Sequence, residues 1–226
     1  MTDGKTVREG ARYATDRFGL LFGLLLVLFA LTAVAESSRL VRVLLTLLVL
    51  AIITTTLRVT GTTPRRMRLI QIIATVGALA TLTGGFTDDT LVSPALAIVN
   101  GLLLALGPFL LVRRIFEHDE VRVQLVIAAL AAYLEIALVF AFLYAGVIET
   151  TSEPFFAQGD EGTGSVLYFS VVTMTTLGYG DLSPATDLGQ SLVMIQTLFG
   201  QIFLVVLVAY LVGSLGKRRP HVRDGS

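Results

Sequence analysis

The chain has 226 residues, of which 54% are hydrophobic and only 15% charged, and it contains no cysteine. Soluble globular chains carry about 25% charged residues, so the composition speaks against a soluble domain, and the missing cysteines exclude disulfides, thiolate metal sites and cysteine nucleophiles. Formal net charge is zero, so the placement of charges carries the information and their sum does not.

In chain order, a basic arm over 1–17 precedes six apolar stretches, at roughly 18–35, 40–59, 67–86, 91–112, 122–148 and 189–215. A helix needs about 20 apolar residues to cross a hydrocarbon core, and each stretch qualifies. The joints are marked by breakers or charge: Glu36 to Arg39, Gly61-Thr62-Thr63-Pro64, Thr87 to Thr90, and Arg113 to Arg122. Residues 18–32 followed by Ala33-Val34-Ala35 also resemble a signal peptide with its cleavage site. The apolar run is long for that, so it is read as a first span. Pro108, after Gly107 in the fourth stretch, is expected to kink or break its helix, and Arg113–Arg122 to form an interfacial linker helix.

Basic residues in short loops mark the cytoplasmic side. Fifteen of the 17 Lys and Arg residues fall on one side of a six-span topology: in the amino-terminal arm, at 58–68, at 113–122 and in the tail. Only Arg39 and Arg42 fall on the other. The 87–90 joint and segment 149–188 hold no basic residue and eight acidic ones. Both termini are therefore expected in the cytoplasm, with 149–188 outside. Arginine-rich usage with abundant Ala, Leu, Val and Gly suggests a GC-rich bacterial genome, hence an inner (plasma) membrane protein.

Between the last two spans, Gly164 to Thr176 is predicted to form a re-entrant helix of three turns, too short to cross. Non-helical backbone at membrane depth is tolerated only where it is buried in protein or lines water. Here it reads Thr175-Thr176-Leu177-Gly178-Tyr179-Gly180-Asp181. This resembles the potassium-channel signature Thr-Val-Gly-Tyr-Gly with Leu177 in place of Val, and residues 122–215 resemble the pore module of that superfamily. The resemblance implies that four copies of the strand supply rings of backbone carbonyls, from Thr176, Leu177, Gly178 and Tyr179, that replace the water shell of K+. It further implies the Thr176 hydroxyl as innermost ligand, Gly180 as part of the strand, Thr175 at the end of the pore helix, and Asp181 at the mouth. Tyr179 would pack its ring on the re-entrant helix. Some members carry a glutamate on that helix that bonds the mouth aspartate; the corresponding place here is Val172, so the rear support of the filter is expected to differ. One strand per chain cannot close a ring, so a homotetramer is implied. Gly200, 21 residues after Tyr179, stands where the family often places a hinge; a close-packing glycine is the alternative.

The resulting expectation is an all-α membrane protein of six spans plus a re-entrant pore helix: 18–112 as a four-helix domain resembling a degenerate voltage sensor, 113–121 as linker, 122–215 as pore domain and 216–226 as short tail. Voltage sensing wants a ladder of arginines at every third position within the membrane; the fourth span has none before Arg113 and Arg114. Glu135, near the middle of the fifth span, is read either as a proton sensor or as a satisfied packing residue. The tail is too short for a ligand-binding domain, and Lys217-Arg218-Arg219 suits anionic lipid headgroups. No enzyme activity, cofactor (beyond K+ in the filter) or nucleic-acid partner is expected. Glu135 and Asn100 are the only intramembrane polar candidates for chemistry, with His118 in the charged linker. A non-selective cation channel of the same architecture is the alternative.

Overall fold

The structure is a computed structural model and describes residues 18–32, 39–83, 92–116, 123–151, 153–159 and 163–215. The amino-terminal arm, the joint at 87–90, His118 and the cluster Lys217-Arg218-Arg219 lie outside the described residues, as does the Asn100 side chain. Seven helices account for nearly all of what is described: α1 (Phe18–Thr32), α2 (Arg39–Val59), α3 (Pro64–Thr83), α4 (Val92–Phe116), α5 (Val123–Thr150), α6 (Thr163–Met174) and α7 (Asp187–Leu215). The fold is all-α, as expected. By length and composition, α5 and α7 are the described helices long and apolar enough to cross a membrane.

Local chemistry sets the boundaries. Helix α2 ends in a left-handed glycine cap: Gly61 has φ +71, its N–H donates to Arg58 O at 3.4 Å, and the Thr62 N–H reaches back to Leu57 O at 3.2 Å. This pairing satisfies two of the carbonyls that a helix end leaves open, and glycine adopts the required φ at low cost. Thr63 and Pro64 then restart the chain, with proline at the first helical position, where a missing N–H costs nothing. At α7, Thr186 caps the start: its Oγ1 accepts from the Gly189 N–H at 3.1 Å, and Asp187 adds negative charge to the first turn.

Two sequence expectations are corrected, the second in part. Pro108 does not break α4, which runs on to Phe116. Arg113 and Arg114 accordingly belong to the last turns of α4, and the rest of the expected linker, 117–122, lies outside the described residues. A proline in a helix interior forfeits one backbone bond, and here the flanking apolar turns pack well enough to carry the helix past it: Leu104, Leu111 and Ile115 are all buried.

Helix α5 is the spine. It packs along α4 on one side and against α6 and α7 on the other. The buried alanines Ala128, Ala129, Ala131 and Ala132 let neighbouring backbones come close, which is how apolar helices gain contact where no hydrophobic driving force separates them from lipid. Two glycines of α4 do the same from the opposite side. A Cβ at Gly101 would lie 3.2 Å from Phe142 Cβ, and one at Gly107 would run into the Glu135 carboxylate. The pairs 101/142 and 107/135 set α4 and α5 antiparallel. Helices α2 and α3 stack outside α4, and α1 contributes the buried stripe Phe18, Leu21, Leu25 and Leu28 at helical spacing.

Gly107→Ala should therefore lower the thermal midpoint of the detergent-solubilised protein, by the ~1–3 kcal/mol typical of overpacking. In the double variant with Glu135→Ala the loss should be smaller than the sum of the two single losses. Additive losses would mean that the two residues do not touch.

Candidate functional site

Helix α6 is twelve residues long, about 18 Å at 1.5 Å per residue, too short to cross. Its end is the centre of the site. The Thr176 N–H donates to Thr173 O and the Leu177 N–H to Val172 O, both at 3.0 Å, the same reciprocal pairing that closes α2. At α2 the left-handed residue is glycine. Here it is Thr176, with φ +58, a conformation that costs an ordinary L-residue about 1–2 kcal/mol. The chain then continues with Gly178 at φ +52 and Gly180 at φ +80. Every second residue of 176–180 is thus left-handed. Nothing stands within 4 Å of a Cβ built at either glycine, so glycine is required at 178 and 180 for backbone hand and not for room.

The strand lies open along its length. Leu177 is 55% and Tyr179 66% exposed. The Tyr179 ring, expected to pack on the re-entrant helix, is mostly exposed in the single chain. The aspartate is supported differently from the family pattern, as expected, and by a residue that the sequence reading passed over. Val172 is buried and apolar, while the Tyr168 phenol, one turn earlier on α6, donates to Asp181 Oδ2 at 2.6 Å.

The far end of the strand is held by a loop that the sequence reading also missed. Phe155 O accepts from the Ala185 N–H at 2.8 Å and Ser183 O from the Ala157 N–H at 2.9 Å, with Phe156 bridged to Pro184. Phe155 and Phe156 are fully buried against Phe169 of α6, the Phe156 and Phe169 rings lying 5.1 Å apart and nearly perpendicular.

Behind α6 lies a buried polar chain. The Tyr144 O–H donates to Gln196 Oε1; Gln196 Nε2 donates to Ser170 Oγ at 2.7 Å and Ser170 O at 2.9 Å; Ser170 Oγ donates to Ala137 O at 2.6 Å. One turn deeper, the Tyr133 O–H donates to Met174 O at 2.7 Å. Glu135 and Asn100 are thus not the only polar candidates: Gln196, an amide in an apolar stretch that also holds Gln201, is buried and bonded.

Gly200 sits in an unbroken helix with its Cα against α6. A Cβ there would be 2.9 Å from Met174 Sδ and 3.1 Å from Met174 O, which gives a packing reason for the glycine. Glu135 is 1% exposed and far from the strand. Its Oε1 accepts from Thr56 Oγ1 of α2 at 2.6 Å, and its Oε2 has no hydrogen-bond partner.

Residues 128–217 match the ion-channel family. That segment holds most of α5 and all of α6, the strand and α7. The chain is similar to potassium voltage-gated channel subfamily A member 4 of Homo sapiens, at 33% identity over 90 residues covering 37% of this chain and 14% of the relative. Subfamily A member 2 of Xenopus laevis is 32% identical over 90 residues and member 5 of Oryctolagus cuniculus 33%. The chain thus spans under a fifth of the length of these curated relatives. The similarity is to potassium channels, and it supports a membrane-embedded ion channel module over an enzyme.

Gly178→Ala should destabilise the protein by ~1–2 kcal/mol, because alanine must be forced into the left-handed region. Thr176→Gly relieves such strain and should leave the midpoint unchanged or raised. A thermal melt of the two variants beside the parent distinguishes this from a strand that merely tolerates any residue.

Proposed function

We propose that the chain is one subunit of a potassium-selective channel, conducting K+ passively through a pore formed by four copies. The observation that carries this reading is the alternation of hand at Thr176, Gly178 and Gly180, placed at the end of a helix too short to cross. Alternating hand turns successive peptide planes so that carbonyls of 176–179 share one direction, the arrangement that replaces the hydration shell of a cation. In this reading Thr176, Leu177, Gly178 and Tyr179 supply the ion-binding carbonyls. The Thr176 hydroxyl forms the innermost site, and Asp181 concentrates cations at the mouth. The ion binds carbonyls, so Leu177 in place of valine leaves the chemistry unchanged.

A ring needs four strands, and one chain supplies one. The open strand and the apolar residues exposed along α7, among them Leu198, Phe199, Ile202 and Val205, fit a subunit that completes itself against copies and lipid. The six-span topology with cytoplasmic termini in a cell membrane follows from the charge distribution, and the four-helix domain before α5 stands beside the pore. That domain lies outside the segment that matches the ion-channel family, 128–217, and α4 has its arginines only at Arg113 and Arg114 in its last turn. Weak or no voltage dependence is the expectation. Lys217, Arg218 and Arg219 are assigned to anionic headgroups.

Potassium flux from liposomes holding the purified protein tests the reading. Barium-blocked K+ efflux that Gly178→Ala abolishes is the expected result. Equal sodium and potassium permeability under bi-ionic conditions would replace it with the non-selective channel.

Glu135 supports a second element. Its unpartnered oxygen lies between the first helices and α5, in a pocket whose other lining residues, Ile53, Thr56, Leu57, Ile70, Leu103, Leu104, Leu106 and Gly107, include no titratable group. A change in its charge would be felt where α2 and α4 meet the pore. Glu135→Gln preserves shape and the Thr56 bond, and should flatten the pH dependence of the flux; an unchanged pH response sinks the idea.

A further inference from the structure

The contacts behind α6 form two rungs, one helical turn apart. In the outer rung Ser170 of α6 bonds Ala137 O of α5 and receives Gln196 of α7, while Tyr144 of α5 donates to the same glutamine. In the inner rung Met174 of α6 takes the Tyr133 hydroxyl of α5 and lies against Gly200 of α7. The steps are 170 to 174, 137 to 133 and 196 to 200, each four residues, so the three helices run in register through both rungs.

The two rungs differ in kind. The inner one holds through a backbone carbonyl and a glycine surface. The outer one depends on side chains, and within it Gln196 joins two side chains on different helices, Tyr144 of α5 and Ser170 of α6. Its carbonyl oxygen accepts from Tyr144, and its amide nitrogen serves both oxygens of Ser170. Tyr144, Gln196 and Ser170 are all fully buried, where an unmatched polar group is costly. The chain also has one direction, Tyr144 to Gln196 to Ser170 to Ala137 O, so removing the middle member strands a donor on one side and loses a donor on the other.

We propose that Gln196 is a positioning residue for ion selection: by bridging α5, α6 and α7 it fixes the depth and rotation of α6, and with them the carbonyl spacing of 176–179. This rests on the potassium-pore reading of that strand. Thr176 and Leu177 are tied by their N–H groups to Thr173 and Val172, three and two residues beyond Ser170, so a turn or slide of α6 passes directly into the strand. Selection between cations needs coordinating groups held to within about half an ångström, and a helix released at one of its two rungs no longer gives that.

The test uses full-length protein in liposomes, with K+/Na+ permeability ratios from bi-ionic potentials and assembly checked by native mass. Gln196→Leu should assemble as the parent does yet lose about tenfold in permeability ratio, as expected when a supporting contact of a precise site is removed. Tyr144→Phe, which removes one donor and keeps the shape, should lose less. Gln196→Glu supplies the discriminating readout. Protonated, its carboxyl retains an O–H for Ser170; ionised, it has none. The variant should approach the parent ratio in acid and fall toward the leucine value as pH rises, while the parent shows no such change. Tyr144, from α5, is the other titratable group in the network, and Ser170, from α6, does not titrate.

An assembled Gln196→Leu protein with the parent ratio overturns the proposal. If the leucine variant does not assemble, the glutamate variant decides, and a ratio independent of pH overturns it equally. A parent protein that passes both cations alike overturns the potassium-pore reading itself, before any variant is compared.

Discussion

A helix that stops partway across a hydrocarbon layer leaves its last carbonyls with no water to bond, and the structure around α6 answers that constraint. Val171 O takes the Thr175 N–H, Val172 O the Leu177 N–H and Thr173 O the Thr176 N–H, while Met174 O takes a phenol from α5. All four carbonyls are matched. The left-handed turn at Thr176 is what allows this pairing, and it also begins the alternation of hand that runs through Gly180. The end of α6 and the start of the strand are one solution to one problem.

The same requirement explains why α5 is buried on more than one side. Tyr133, the Ala137 carbonyl and Tyr144 face α6 and α7, and Glu135, between the first two of these, faces Thr56 of α2 and Gly107 of α4. Neighbouring positions on one helix thus serve two different packings. Polar groups in this chain occur where helices must be registered against each other, and the alanines and glycines between them provide the close approach.

What was legible in the sequence was local. The strand 175–181, the short helix before it, the Gly61–Pro64 joint and the bounds of six apolar stretches rest on residues within a few positions of one another, and the helices fall within a few residues of those bounds. The pairs that span long separations were not legible: Tyr168 with Asp181, Tyr144 with Gln196, Phe155 with Ala185 and Gly107 with Glu135. In each, nothing near one partner in the sequence points to the other, even where a residue stands out by itself, as Asp181 and Glu135 do. Gln196 comes nearest, since an amide in an apolar stretch asks for a partner, but Gln190 and Gln201 on the same helix carry the same signal. Pro108 shows the opposite case, a strong local signal for a break that packing carries the helix past.

The pairing of 155–157 with 183–185 has a mechanical consequence when set beside the two rungs behind α6. At its inner end the strand leaves a helix gripped on both sides; at its outer end it joins a segment stapled to an aromatic-cored loop. It is a beam clamped at both ends, not a cantilever. A beam so held does not swing as a flap when the inner helix is pushed. It bows at mid-span, near Gly178, where the backbone carries no side chain to resist the displacement.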